Sequence, residues 1–236
     1  MNVARIREAF PDRRIDCYSE IDSTMLAAAR LPQGSVVLAD RQTAGQGRHG
    51  HSWHSEPDNG IYCSAVLKPA PMLTLALGLA AQHAIVEATG LVCDLRWPND
   101  LMLNGRKVAG ILVQLVDGNA IAGIGINVNH IAFPREIAEE AISLRLAAGR
   151  EIAREEILLA LLPAIDVFTA EPSDIILRLF THASSYAAGR RVAVDQPGGA
   201  IIGTTAGLDP SGHLRVQQDD GTVTLIVAGG VRALSA

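Results

Sequence analysis

Aromatic residues are scarce in this chain: two tryptophans, three tyrosines and four phenylalanines make up 4% of its 236 residues. Any core must therefore be built from aliphatic side chains and alanine, and the 48% hydrophobic and 19% charged fractions are those of a folded globular protein rather than a disordered one. Cysteine is equally sparse. Cys17, Cys63 and Cys93 are far apart, odd in number and without a CxxC pair, which excludes a disulfide framework or a zinc knuckle and suits reduced thiols. There is no excess of positive charge: 20 Lys and Arg against 25 Asp and Glu give a net charge of -5, so the basic stripe of a phosphate-neutralising nucleic-acid binder is missing. Long apolar runs are missing too, since Leu73 to Val86 is too short to cross a bilayer and the charged N-terminus holds no signal-peptide core. The expectation is a cytoplasmic protein, independent of membranes and nucleic acid, that handles small ligands or protein partners.

The length suits one main domain with a small appended one. Periodicity predicts strands over Arg14–Tyr18 and Ser35–Ala39 around a short helix, Thr24–Arg30, with Ser23 placed to cap it. It continues with a strand over Ile61–Leu67, an alanine-rich helix over Leu73–Thr89, and strands over Val92–Trp97, Lys107–Leu115 and Asn119–Asn127. Asn104-Gly105 and Asp117-Gly118 are hairpin turn signals. Hairpin-linked strands that outnumber helices favour an α+β mixed sheet over a doubly wound parallel one. Helices are predicted over Arg154–Phe168 and Ser173–His182, separated by Glu171-Pro172. After Gly189 the chain turns to short β segments, Arg190–Val194, Ala200–Leu208, Leu214–Gln217 and Val223–Val227, divided by glycine and Asp-Pro turns.

Three segments carry unusual chemistry. Thr43 to Trp53 packs Gly45, Gly47 and Gly50 with Arg48, His49 and His51 into a stretch that cannot be a regular helix or strand. Glycines let the backbone approach an anion and Arg48 can fork onto phosphate oxygens, although a solvated surface turn fits the same residues equally well. No Walker A lysine follows, and no strand-GxGxxG-helix context is present. Arg96-Trp97-Pro98-Asn99-Asp100 ends a predicted strand and can form a tight turn, but the hairpin after it begins with Lys107 and runs on as Val108-Ala109-Gly110-Ile111-Leu112. A lysine beside an Ala-Gly pair can reach a ligand lying against the backbone. Gly123 and Gly125 fall on one face of a strand, where they serve either close sheet packing or a flat ligand.

Taken in order, these segments resemble the biotin protein ligases. The family pattern of Ser-Thr, Gln-Thr-Ala-Gly-Arg-Gly-Arg, Trp-Pro-Asn-Asp, Lys-x-Gly/Ala-Gly-Ile-Leu and Gly-Ile-Gly-Ile-Asn reappears as Ser23-Thr24, Gln42–Arg48, Trp97–Asp100, Lys107–Leu112 and Gly123–Asn127. Gly207–Leu214 and Ala228–Val231 look like the family's small C-terminal domain. The resemblance implies a mixed β-sheet with packed helices, like the catalytic domain of class II aminoacyl-tRNA synthetases and biotin ligases, over residues 1–186. A small SH3-like β-barrel would follow over residues 187–236.

The implied reaction joins biotin and ATP into biotinyl-5'-AMP, then transfers biotin to a lysine of the biotin carboxyl carrier protein of acetyl-CoA carboxylase or a related carboxylase. By the same resemblance Lys107 and Arg48 are the catalytic cations. Ser23, Thr24, Gln42, Gly45, Gly110, Gly123 and Gly125 would bind biotin. Arg48, Trp53, Arg96, Asn99 and Asn127 would hold the nucleotide, with Trp53 stacked on adenine, and Asp100 would hold Mg²⁺. Family members occur as monomers or homodimers. The winged helix of repressor members has no counterpart before Arg14, so no DNA binding is expected.

Several positions depart from the pattern. Met25 replaces a common Asn, Gln46 the first Arg of the glycine-rich signature, His51 another Arg, and Arg96 a Lys. One missing charge-assisted phosphate contact is worth about 1.5–3 kcal/mol, so the loop should hold an adenylate less firmly than a more cationic one. The rival readings are a lipoate or octanoate ligase or transferase, whose own motifs are missing, and a biotin-binding module weakened in catalysis. Retention of Lys107, Arg48 and Asp100 argues against the second.

Overall fold

The structure, a computed structural model, describes residues 1–234 apart from the His49 side chain. The first part runs α1 (Val3–Ala9), β1 (Ile15–Tyr18), α2 (Thr24–Ala28), β2 (Val36–Ala39), β3 (Gly60–Leu67), α3 (Leu73–Thr89), β4 (Asp94–Arg96), β5 (Asp100–Leu103), β6 (Arg106–Val116) and β7 (Asn119–Asn127). Helices α4 (Leu144–Ala148), α5 (Arg154–Ala170) and α6 (Ser173–Ala183) follow, then β8 (Ala188–Val194), β9 (Ile201–Leu208), β10 (Leu214–Gln217), β11 (Val223–Ile226) and β12 (Val231–Ala233).

Seven strands form one sheet in the order β1-β2-β3-β7-β6-β5-β4, parallel only between β1 and β2. The two predicted hairpins close as expected, with positive φ at Asn104 and Gly105 (52° and 75°) and at Asp117 and Gly118 (48° and 78°), the signature of a type I′ turn. One face of this sheet is covered by α3 and α5. Helix α3 buries Leu75, Leu77, Leu79, Ala81 and Ile85 on several sides because the sheet, α5 and α6 all pack against it. It stops where Gly90 takes the left-handed conformation at φ 76°. Each fully buried Leu or Ile there is worth about 1.5–3 kcal/mol.

The opposite face carries the short helix α2, whose Met25 and Ala28 pack with Val37, Val66 and Ile121 in a smaller second core. Ser23 precedes α2 as predicted but makes no capping hydrogen bond; its backbone N–H donates to Asp22 Oδ1 at 2.6 Å instead. The last five strands form a separate antiparallel sheet ordered β11-β10-β9-β8-β12. It is joined to the first part where the buried Trp97 Nε1 donates to the Gly212 carbonyl at 2.9 Å, while Ser184 Oγ, at the end of α6, fixes the chain leading into it by donating to the Leu95 carbonyl at 2.5 Å. No described helix is long and apolar enough to cross a membrane.

The pattern reading omits α1, β5, α4 and β12. Helix α1 buries only Ile6, β5 is four residues long and begins at Asp100, which reads as a turn residue, and β12 has three residues. None is long enough to express a period.

Candidate active site

The face of the sheet away from α3 carries a cleft of about 50 Å³. Its floor is glycine. Gly110 of β6 and Gly125 of β7 are paired in register, and Gly123 lies two residues along on the same side. A Cβ on Gly125 would stand 2.5 Å from the Trp53 ring, and one on Gly110 would stand 2.9 Å from the same ring and 3.0 Å from Lys107 Cε. A Cβ on Gly123 would meet Met25 Sδ at 2.7 Å. The glycines are therefore required by the close approach of Trp53, Lys107 and Met25 to the backbone.

Strand alternation alone would put Lys107 and Gly110 on opposite faces. A bulge prevents this: Leu101 pairs with Ala109 and Met102 with Lys107, so β6 carries an extra residue, and Val108 and Ala109 both enter the helical core. Lys107 is thereby turned to the cleft side, the common use of a bulge beside a functional site. Its ammonium lies 2.5 Å from Asp100 Oδ1 and 5.4 Å from the centre of the Trp53 ring. Arg96 donates to the other Asp100 oxygen at 2.7 Å. Burial pushes the Asp100 carboxyl up, but Lys107 and Arg96 more than offset this and hold it below the usual carboxylate range.

The glycine-rich loop folds over the cleft as a small hairpin. Gly47 N donates to the His51 carbonyl at 2.7 Å and Trp53 N to the Gly45 carbonyl at 2.8 Å, with one turn of 3-10 helix at Arg48–Gly50. Gly45 fits because a Cβ there would stand 3.0 Å from Gln42 Nε2 and from the Trp53 carbonyl. Arg48 donates to Asn99 Oδ1 at 2.8 Å, and Asn99 is itself held by donating to the Ile111 carbonyl. At the far end Gln42 Oε1 accepts from both the backbone N–H and the hydroxyl of Thr24, which also contacts Ser64 Oγ at 2.8 Å.

Thr24, Gln42, Arg48, Trp53 and Asn99 thus line one cleft with Lys107 and the three glycines. Ser23, Gly45, Arg96, Asp100 and Asn127 lie outside its lining. Asn127 is buried and donates to the Ile142 carbonyl at 3.3 Å, so its amide braces the chain beyond β7. Asp100 does not fit the part of a Mg²⁺ ligand in this arrangement, because its two oxygens already face two cations. Sequence reading missed Tyr62, Cys63, Ile111, Leu112 and Ile124 in the lining. Tyr62 could have been found as the residue alternating with Ser64 on the cleft side of β3.

A sequence model of the biotin/lipoate A/B protein ligase family matches residues 13–130, half of the chain. The chain belongs to this family. It is 35% identical over 215 residues to the bifunctional ligase/repressor of Bacillus subtilis, covering 83% of this chain and 65% of that protein. It therefore spans just under two thirds of that relative's length. With the biotin--[acetyl-CoA-carboxylase] ligase of Mycobacterium tuberculosis it shares 30% identity over 237 residues, 92% of this chain and 88% of the relative. The biotin protein ligase of Aquifex aeolicus, solved in complex with biotin and ATP, is similar at a TM-score of 0.85 and 31% identity, with 94% and 99% of the two chains covered. For this member of the biotin/lipoate ligase family the arrangement offers two cations beside an open backbone floor, under an aromatic side chain on a loop. Such a site can stabilise negative charge developing on a ligand laid flat against the sheet.

Proposed function

We propose that the chain is an ATP-dependent biotin protein ligase. It would activate biotin as biotinyl-5'-AMP with release of pyrophosphate, then pass the biotinyl group to a lysine amine on a biotin carboxyl carrier protein. The observation that carries this reading is the convergence of Lys107 and Arg48 on the Gly110–Gly125 floor. It is supported by the similarity to the Aquifex relative that holds biotin and ATP.

Both half-reactions develop negative charge at the same α-phosphate: on the phosphorus-bound oxygens during adenylation, and on the departing AMP during transfer. Lys107 would stabilise that charge in each, and Asp100 would position the ammonium through their ion pair. Arg48 would take phosphate oxygens on exchanging Asn99 for the ligand. Thr24 and Gln42 would supply the mixed donors and acceptors that the ureido ring needs, and Gly123 the flat approach for its apolar tail. Arg96 and Asn99 would form the nucleotide side. The carrier would be that of acetyl-CoA carboxylase or a similar carboxylase, and its lysine must enter from the loop side.

A cleft of about 50 Å³ is far below the roughly 300–1,000 Å³ of sites that enclose ligands of this size. Trp53 accounts for the difference, since its ring rests on the two glycines that would form the floor. Ligand entry therefore requires Trp53 to leave the floor, after which the loop can re-close over the adenylate and keep water from the mixed anhydride. Pyrophosphate exchange into ATP tests the function directly. Exchange should depend on biotin and not on lipoate or octanoate; exchange driven by lipoate would move the assignment to the other branch of the family, and none with any acid would remove the enzymatic reading.

A further inference from the structure

Outside the cleft, His54, Glu56 and His130 each offer one ligand atom, and the three atoms lie within 4.8 Å of one another. The geometry points to a transition-metal site here, with two imidazoles and one carboxylate taking a divalent cation of the zinc class and leaving a position for water. This goes beyond the ligase reaction and does not depend on it.

His130 is fully buried, and neither ring nitrogen has a hydrogen-bond partner among the described residues. A buried imidazole with two idle nitrogens is unfavourable unless something fills one of them. The ring is fixed in place: Phe133 stacks on it at 5.1 Å and 17°, and its backbone carbonyl accepts from Ser143 Oγ at 2.7 Å.

The other two ligands arrive on one extended segment. Ser55 between them turns the opposite way to accept from Gln42 N at 2.7 Å, so His54 and Glu56 share a side. Tetrahedral zinc with bonds of about 2.0–2.1 Å needs donors roughly 3.3 Å apart, so the site must contract from its present spread. Residues 53–56 lie outside helix and strand and can close onto the fixed His130. Two imidazoles and one carboxylate suit zinc, cobalt or nickel and disfavour magnesium or calcium. Bound metal would staple the end of the Trp53 loop to the chain leaving β7.

The test is metal binding by tag-free protein stripped with chelator, in a Cys17→Ser background that removes the half-buried thiol as a competing ligand. Zn²⁺ calorimetry should give one equivalent, and Co²⁺ should give a visible spectrum of tetrahedral or five-coordinate type. His54→Ala and Glu56→Gln should each weaken Zn²⁺ by tenfold or more, while His213→Ala, in the turn before β10, leaves it unchanged. Zn²⁺ should also raise the Tm of the parent and not that of His54→Ala. Absence of stoichiometric binding in the parent, or undiminished affinity in His54→Ala, would overturn the site and leave these rings as an aromatic packing cluster.

Discussion

On strand β7, Ala120, Ala122, Ile124 and Ile126 enter the helical core, whereas Ile121, Gly123 and Gly125, one position out of phase, face α2 and the cleft. The helical face is filled by side chains of the strand itself. Beneath the cleft the strand contributes almost no side chain, and the space is filled by Trp53 and Lys107 reaching in from elsewhere. Stability and ligand access are thus assigned to opposite sides of one strand. A buried aliphatic face cannot yield without leaving a cavity, while a floor covered by a loop tryptophan can be cleared without disturbing the sheet.

The sharpest way to break this division is Lys107→Ala. If the cleft side carries function, adenylate formation by pyrophosphate exchange should fall about a thousandfold, equivalent to about 4 kcal/mol, with urea stability nearly kept because Arg96 still pairs with Asp100. Activity within tenfold of the parent would make Lys107 a structural partner of Asp100. The matching change on the other face is Ile126→Ala, at a fully buried site of the helical core that lies outside the cleft lining. Loss of the buried side chain should cost roughly 3 kcal/mol in urea unfolding, and saturating biotin and ATP should still support near-normal turnover of the folded fraction.

Acid sensitivity sharpens the comparison from the chain just beyond β7. His130 has a folded pKa of about 4, below its ordinary 6.5, so the unfolded chain binds the extra proton first. Stability of the metal-free protein should be full above about pH 6.5 and decline as pH falls toward 4, by roughly 3 kcal/mol at most for this buried ring. His130→Phe should flatten that limb in urea titrations at successive pH values. An unchanged slope would place the acid sensitivity elsewhere.

Much of this division is legible in the residues. The alternation Ala120-Ile121-Ala122-Gly123-Ile124-Gly125 gives the strand and places both glycines on one face, and Asn-Gly and Asp-Gly give the hairpins that pair β7 with β6 and β6 with β5. The ordered motifs give the cleft residues, since most contribute backbone or short polar groups whose place follows from the strand that carries them. What was not legible depends on contacts between segments distant in sequence. The bulge that turns Lys107 toward Gly110 is marked only by two adjacent apolar residues, Val108 and Ala109. The engagement of Asp100 by two cations and the diversion of Asn127 to the Ile142 carbonyl require the folded neighbours. The resting place of Trp53 on the glycine floor has no local signal, because nothing in a loop sequence states which surface its aromatic ring will cover.

That resting place supplies the smallest and most discriminating effect. A methyl group at Gly125 would stand 2.5 Å from the Trp53 ring, so either the ring or the strand must give way. The ring belongs to a loop segment without regular structure, and Gly125 has no positive φ, so Ala is compatible with the strand backbone. Gly125→Ala should then change unfolding free energy by less than about 1 kcal/mol, of either sign, because restricting the unfolded chain offsets the lost contact. Trp53 fluorescence should shift toward that of a hydrated indole, read in a Trp97→Phe background, and biotin should bind more weakly as the floor rises into its site. A loss of several kcal/mol would instead mean that Trp53 on glycine is part of the core, and the two faces of β7 would not be separable.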